Sequence, residues 1–186
     1  MDPILLDIPD EIETERLIVR SVWAGDGPEL MAAIQDSLPG LKAWMPWATS
    51  VPTVEEAEIN VRRARIRYLE RSDLRVGLFL KDGGRMVGSS GLLRMDWQAG
   101  RFEIGYWVRA SDAGQGYITE AVRALMTCAF DVLNARRLEI HCDEQNTRSR
   151  KVAERVGFML EARLQDHSLA PSGELRNTLI YARLRP

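Results

Sequence analysis

The chain has 186 residues, 45% of them hydrophobic, which is enough to bury the core of one ordinary domain, so a single domain over 1–186 is expected. A formal net charge of -2 and a pI near 5.8 give no long-range attraction to nucleic acid or to an anionic membrane. The two cysteines, Cys128 and Cys142, form neither a disulfide framework nor a CxxC zinc pair and read as buried free thiols.

Met1 to Asp10 carries acids and prolines in place of the basic start and apolar run of a secretory signal. Nothing later approaches the roughly 20 apolar residues of a membrane span, so the expected compartment is the cytoplasm. Arg16 to Val22 (RLIVRSV) reads as a first strand, and Trp23-Ala24-Gly25-Asp26 as a turn into a helix reaching about Gln35. In Leu41 to Trp47 (LKAWMPW), Trp44, Met45 and Trp47 stand beside a helix-breaking proline and read either as a partly exposed wall or as core. From Glu55 to Arg71 the charges, with Ile59, Ile66 and Leu69 as the apolar side, fit an amphipathic helix. Its arginines, Arg62, Arg63, Arg65, Arg67 and Arg71, are interleaved with Glu55, Glu56, Glu58 and Glu70, so they read as a solvated face and not as a nucleic-acid patch.

The centre predicts antiparallel strands over Val76 to Lys81, Met86 to Met95 and Phe102 to Val108, joined by glycine turns. After Gly114-Gln115-Gly116 the period becomes helical, with Ile118, Val122, Leu125, Ala129 and Leu133 on one face. Leu138 to Cys142 is a further strand, Thr147 to Val156 a shorter helix ended by Gly157, and Met159 to Gln165 with Leu175 to Leu184 a closing pair of strands. This order gives an α+β fold with a mixed, mostly antiparallel central sheet flanked by helices.

A strand that runs through a glycine loop into a helix gathers unpaired backbone N–H groups and the positive helix end at one point, a device for holding phosphate. Glycines also serve such turns for purely geometric reasons, so the loop alone leaves both readings open. The sequence has no GxxxxGK[ST] and no GxGxxG in an N-terminal βαβ unit, which removes the P-loop and supports no dinucleotide fold.

Glu103 to Val108 (EIGYWV), Ala113 to Ala121 (AGQGYITEA), Asn146-Thr147-Arg148-Ser149 and Gly157-Phe158, with the opening TERLIVR, the WMPW segment and the closing YARLR, resemble the GNAT superfamily of N-acetyltransferases. Within it the resemblance is to the RimJ/RimL-type branch, which acts on ribosomal-protein N-termini. It implies a sheet splayed between its fourth and fifth strands and acetyl-CoA as acyl donor, without a metal. It also implies pyrophosphate binding by the loop Ala113, Gly114, Gln115, Gly116, Tyr117, Ile118 and Thr119. Ala113 stands where the family usually has Gln or Arg, and Ile118 where it has Gly or Ala; backbone amides do the binding, so Ile118 is expected to turn its side chain away from the phosphates. By the same resemblance Trp107, Val108 and Asn146 meet the pantetheine arm, and the protein is a homodimer. Arg109, Arg148 and Arg150 are candidates for the adenosine phosphates.

Attack of a neutral amine on a thioester requires a deprotonated nucleophile, donors for the oxyanion and a proton for the leaving thiolate. The oxyanion donor is expected near the Val108 N–H. Ser149 lies about one helical turn after Asn146 and is, by resemblance, the proton donor; an ordinary helix-start serine is the alternative. Glu103 either activates the amine through water or only pairs with an arginine. Glu139, His141, Asp143 and Glu174 are lesser candidates for the base, His141 reading as a satisfied core histidine. Trp44, Met45 and Trp47 are the expected acceptor wall. A peptide α-amine, with a pKa of about 8 against about 10.4 for lysine, suits a site without an unmistakable base. The expected activity is therefore acetyl transfer to a primary amine, foremost a protein N-terminal α-amine, by direct transfer in a ternary complex. A small-molecule amine acceptor, succinyl-CoA as donor, and a non-catalytic acyl-CoA-binding module are the alternatives.

Overall fold

The computed structural model describes residues 2–170 and 172–186. Along the chain run β1 (Glu11–Glu13), β2 (Leu17–Ser21), α1 (Gly27–Lys42), α2 (Val54–Leu69), β3 (Leu74–Leu80), β4 (Met86–Asp96) and β5 (Arg101–Val108). They are followed by α3 (Tyr117–Asp131), β6 (Arg137–Asp143), α4 (Thr147–Arg155), β7 (Met159–Leu169) and β8 (Leu175–Leu184). The strands form one sheet in the order β1-β2-β3-β4-β5-β6-β8-β7. Every neighbouring pair is antiparallel except β5 and β6, which run parallel. A parallel pair needs a crossover, and α3 supplies it.

Period-two patterning divides the two faces of the sheet. Leu78, Phe102, Ile104, Leu138 and Ile140 pack with Val122, Leu125 and Ala129 of α3 and Ala153 of α4, whereas Phe79 and Met86 pack with Leu30 and Ile34 of α1 and Val61 and Ala64 of α2. The feature that positions the site is a loss of pairing. β5 and β6 are matched only at Arg101↔Arg137, Phe102↔Leu138 and Glu103↔Glu139, although β5 continues to Val108 and β6 to Asp143. Beyond that last pair the strands diverge, and the sheet opens into a cleft where the splay between the fourth and fifth strands of the sequence reading was expected.

Several expectations need correction. The first helix does not stop near Gln35: α1 runs through Pro39 to Lys42, with Ser37 and Leu41 buried, so irregular chain begins only at Ala43. The burial of that last turn overrides the proline's preference for ending a helix. In α2 the buried stripe is Ala57, Val61, Ala64 and Tyr68, while Ile59, Ile66 and Leu69 are exposed. Small alanines admit close packing against α1, so side-chain size and not hydrophobicity chose the face. The short β1 escapes a reading by alternation, and β7 runs on to Leu169 as the exposed edge strand. The face expected for α3 is correct, with Ile118, Val122, Leu125, Ala129 and Leu133 all buried.

Candidate active site

β5 ends at Val108, and a 3-10 turn over Ala110–Asp112 leads to Ala113, Gly114, Gln115 and Gly116. Gly114 and Gly116 have φ values of 83° and 84°, the left-handed region that L side chains rarely adopt, so glycine is required at both. Gly116 is the N-cap of α3 and makes no side-chain cap. The N–H groups of Tyr117, Ile118 and Thr119 therefore lack intrahelical acceptors and point out of the helix end, where its dipole is positive. The Ile118 side chain is buried in the core, as an amide-only role at that position demands.

The loop is braced from both sides. Asp36 of α1 accepts from Arg109 Nε at 3.1 Å and from the Ser111 hydroxyl at 2.7 Å, while the Ser37 hydroxyl accepts from the Ala110 N–H at 3.0 Å. On the other side, Arg16 donates to the Gln115 carbonyl at 2.9 Å, pairs with Glu120 at 2.7 Å, and lies 4.6 Å from the centre of the Tyr117 ring. An open cavity of about 490 Å³ adjoins Gly116, lined by Arg16, Thr119, Arg123, Thr127 and Arg155 among others. Of the arginines suggested for the adenosine phosphates, Arg109 is thus committed to Asp36, Arg150 makes only a long contact of 3.4 Å to the Glu144 carbonyl, and Arg148 is exposed in the first turn of α4. Arg16, Arg123 and Arg155 are the ones beside the loop. They were missed because nothing in the local sequence brings residue 16 or 155 next to residue 116.

The Arg109 N–H donates to Val87 O at 2.7 Å and the Ser90 hydroxyl to Gly105 O at 2.8 Å, both on the β4 side. Backbone groups alternate along a strand, so Tyr106 and Val108 turn their N–H and C=O toward β6, into the cleft. These are the groups a pantetheine arm and an oxyanion would meet. On the far side stands α4. Its N-cap is Asn146, whose side-chain oxygen accepts from the Ser149 N–H at 3.1 Å. Asn146 therefore fills the capping role, and its amide nitrogen remains for a ligand. The Ser149 hydroxyl lies 3.0 Å from the Tyr106 hydroxyl, which also donates to the Ser149 carbonyl at 3.1 Å. Burial pushes the Tyr106 hydroxyl well above its ordinary value, so it keeps its proton. Burial likewise pushes the thiols of Cys142 and Cys128 up to about 11.

On the opposite face, Glu103 pairs with Arg94 at 2.6 Å, across a register shift in β4 that re-aims that arginine. Glu103 also lies 3.4 Å from His141 Nδ1, and Nε2 of the same ring lies 2.7 Å from Glu139. The histidine is half-buried at the apex of the cleft and does not belong to the core, contrary to expectation, because its strand has already parted from β5. Burial is the largest influence on Glu139 and raises its pKa, but hydrogen bonds from Arg137 and His141 outweigh it and hold the carboxyl below its ordinary value. Asp143 is taken by Arg176 at 3.2 Å, and Glu174 lies in the turn before β8, its carbonyl accepting from the Ala170 N–H at 2.8 Å.

Trp44, Met45 and Trp47 follow α1 directly. Trp47 is 51% exposed with its ring centre 6.2 Å from that of Trp107, and Trp44 and Met45 are half-buried, which favours the wall over the core. Arg176 fixes the segment by donating to Ala43 O at 2.8 Å and lying 5.3 Å from the Trp44 ring centre.

A splayed mixed sheet with an uncapped helix end at one side of the splay defines an acyl-CoA-dependent N-acetyltransferase. Residues 16–159 match the family described as Acetyltransferase (GNAT) domain, and the chain belongs to that family. It is 30% identical over 172 residues to YdaF of Bacillus subtilis (strain 168), covering 92% of each chain. It is 28% identical over 127 residues to the ribosomal-protein-serine acetyltransferase of Escherichia coli (strain K12), covering 67% of this chain and 70% of that one. Among solved structures, the RimL ribosomal L7/L12 alpha-N-protein acetyltransferase in complex with coenzyme A superimposes with a TM-score of 0.86 at 24% identity, over 95% of this chain and 97% of that one. The microcin C7 self-immunity acetyltransferase MccE, in complex with acetyl-CoA and AMP, gives 0.87 at 22%, over the same shares. Both of these solved structures hold the coenzyme, MccE as acetyl-CoA and RimL as coenzyme A. Among the described residues no helix is long and apolar enough to cross a membrane.

Proposed function

We propose that this enzyme transfers the acetyl group of acetyl-CoA to a protein N-terminal α-amine, directly, in a ternary complex. The observation that carries the reading is the cleft beyond Glu103↔Glu139, with the free backbone groups of Tyr106 and Val108 on one wall and Ser149 on the other. The amides of Gly114 to Thr119 hold the pyrophosphate. The Val108 N–H meets the oxyanion, Asn146 and the backbone of Tyr106 and Val108 line the pantetheine arm in place of the expected Trp107, whose backbone is paired with Ser89 of β4, and Ser149 protonates the departing thiolate. The amine approaches past Trp44, Met45 and Trp47. Cys142 plays no covalent part, since a thiol near 11 carries too little thiolate at neutral pH to attack the thioester. The name of the Escherichia coli relative, a ribosomal-protein-serine acetyltransferase, supports a protein as acceptor. The reading also takes residues 1–186 as one domain of a cytoplasmic homodimer that binds neither nucleic acid nor membrane.

Thiol release from acetyl-CoA, followed by mass spectrometry, tests this on peptides with a free N-terminus, on N-blocked peptides containing lysine, and on small amines. Release equal to the N-terminal acetylation of the first set is the expected result. Turnover confined to small amines assigns a small-molecule acceptor, and acetyl-CoA binding without turnover of any amine leaves a binding module. Succinyl-CoA in place of acetyl-CoA is expected to be a poor donor. Solution scattering at a monomer mass would remove the homodimer.

A further inference from the structure

Resting on the transferase reading, the structure points to a base other than the expected Glu103. Glu103, His141 and Glu139 form a series across the apex of the cleft, each carboxylate backed by an arginine on its far side: Arg94 on Glu103 at 2.6 Å and Arg137 on Glu139 at 2.6 Å. Arg137 is itself tied to Glu161 at 2.6 Å, so Glu139 is held from behind. All three members of the series are largely shielded from water, with side-chain exposures of 13% for Glu103 and Glu139 and 21% for His141. The next residue on this face of β6, Asp143, is neutralised by Arg176, and the residue opposite His141 on β8 is Ile180, which has no charge.

An ionised carboxylate can only accept hydrogen bonds. Glu139, held ionised by Arg137 and 2.7 Å from Nε2, therefore requires a proton on Nε2, and in the neutral form of the ring this leaves the lone pair on Nδ1. His141 is the second residue past the last β5–β6 pair and the first beyond it on this face, where the sheet opens. Glu103 lies 3.4 Å from it, longer than a formed hydrogen bond but close enough to accept one once Nδ1 is protonated. The charge that His141 gains on accepting a proton is thus met by a waiting anion.

We propose that His141 Nδ1 takes the proton shed by the acceptor amine, with Glu139 as the positioning residue that fixes its tautomer and Glu103 as the anion that stabilises the imidazolium. The amine lone pair forms the C–N bond at the thioester carbonyl carbon, and the amine proton passes to Nδ1, directly or through one water. The C–S bond breaks with its electron pair on sulfur, which takes the Ser149 hydroxyl proton, and the serine oxygen recovers a proton from solvent. The imidazolium then returns its proton to solvent. This division of labour also explains why Glu103 is bound to an arginine: the pair holds a counter-ion in place, which a carboxylate acting as the base itself would not need.

The test measures kcat/KM against pH for wild type, His141→Gln and Glu103→Gln, using an acceptor whose amine is unprotonated across the range, so that only enzyme groups titrate. The expected result is that His141→Gln loses about 10²–10⁴-fold in rate. It loses the acid limb of the profile as well, with acetyl-CoA affinity unchanged. Glu103→Gln keeps that limb and loses part of the rate. Loss of the limb in Glu103→Gln and its retention in His141→Gln would make Glu103 the base and overturn the proposal. A wild type that turns over no amine sinks the transferase reading and this inference together, which distinguishes that failure from normal turnover by His141→Gln. Should either variant not fold, the ring ¹⁵N shifts of the wild type decide, since only His141 and His167 contribute. A neutral His141 protonated on Nε2 agrees with the proposal, and one protonated on Nδ1 excludes it.

Discussion

Tyr106 and Ser149 meet hydroxyl to hydroxyl at 3.0 Å, joining the end of β5 to the first turn of α4 across the cleft between β5 and β6. The contact gives the serine hydroxyl a defined direction, and because Asn146 already caps α4, the Ser149 side chain is not spent on the helix end.

Replacing Ser149 by alanine should therefore lower kcat and kcat/KM together, by about tenfold or more, with little change in acetyl-CoA affinity. Its melting temperature should move little, since the cap survives. Tyr106→Phe, which removes the partner but leaves the serine, should give a smaller loss in the same direction. Steady-state kinetics beside thermal melts read both quantities, and near-normal turnover by folded Ser149→Ala would defeat the assignment. Tyr181 is a poor substitute donor: it is 2% exposed and its hydroxyl is bound to Glu154 at 3.0 Å.

Gly116→Val should weaken acetyl-CoA binding, measured by calorimetry on folded protein. A side chain built at Gly116 meets only the Arg16 guanidinium, at 3.5 Å, so packing is not what forbids it. The φ of 84° is: holding an L residue there costs roughly 1–2 kcal/mol, and a loop that relaxes to avoid this cost turns its amides away from the pyrophosphate. Unchanged affinity would reduce the loop to a connection between β5 and α3.

The two thiols give a prediction about pH. Burial raises both Cys128 and Cys142 from an ordinary 9.0 to about 11, so the folded state favours the protonated form. The stability this contributes is complete below pH 9 and is lost as pH rises from about 9 through 11, where the unfolded chain ionises first. Alkylation of the native protein by iodoacetamide should accordingly be slow at neutral pH and accelerate only near that upper limit. Rapid modification of Cys142 at neutral pH, with loss of activity, would reopen a covalent route.

The regular part of this fold was legible because its periods are clean. The α3 face from Ile118 to Leu133 and the alternation of β6 each follow one burial pattern from end to end, while β5 alternates only as far as Ile104. The loop from Ala113 to Thr119 was legible through its glycines and the resemblance they completed. The sequence misled where size outranked hydrophobicity, as with Ala57 and Ala64 of α2 against the exposed Ile59 and Ile66, and where burial outranked propensity, as at Pro39. It was silent on contacts between distant segments. Arg16 beside Gly116 and Tyr106 against Ser149 are such contacts, and so is His141 between two glutamates, which depends on where β5 and β6 part.

The acceptor wall separates stability from specificity most clearly at Trp47. Its ring is half exposed, with its centre 6.2 Å from that of Trp107, so truncation should cost well under the roughly 3–5 kcal/mol of a fully buried tryptophan. Trp44, held by Arg176 and half-buried, should cost more. If the two rings bound the path of the amine, Trp47→Ala raises KM for the acceptor and leaves acetyl-CoA affinity as it was, because the proposed pyrophosphate site consists of backbone amides from Gly114 to Thr119, of which Trp47 is no part. A fall in kcat without a change in KM would instead place Trp47 in the transition state, through its contact with Trp107 at the end of β5. Peptide titrations at saturating acetyl-CoA, beside calorimetry with acetyl-CoA alone, measure the two affinities separately. A Trp47→Ala protein with unaltered KM for every peptide, yet a large drop in melting temperature, would return the segment to the core and leave the acceptor wall to be sought along β6 and β8.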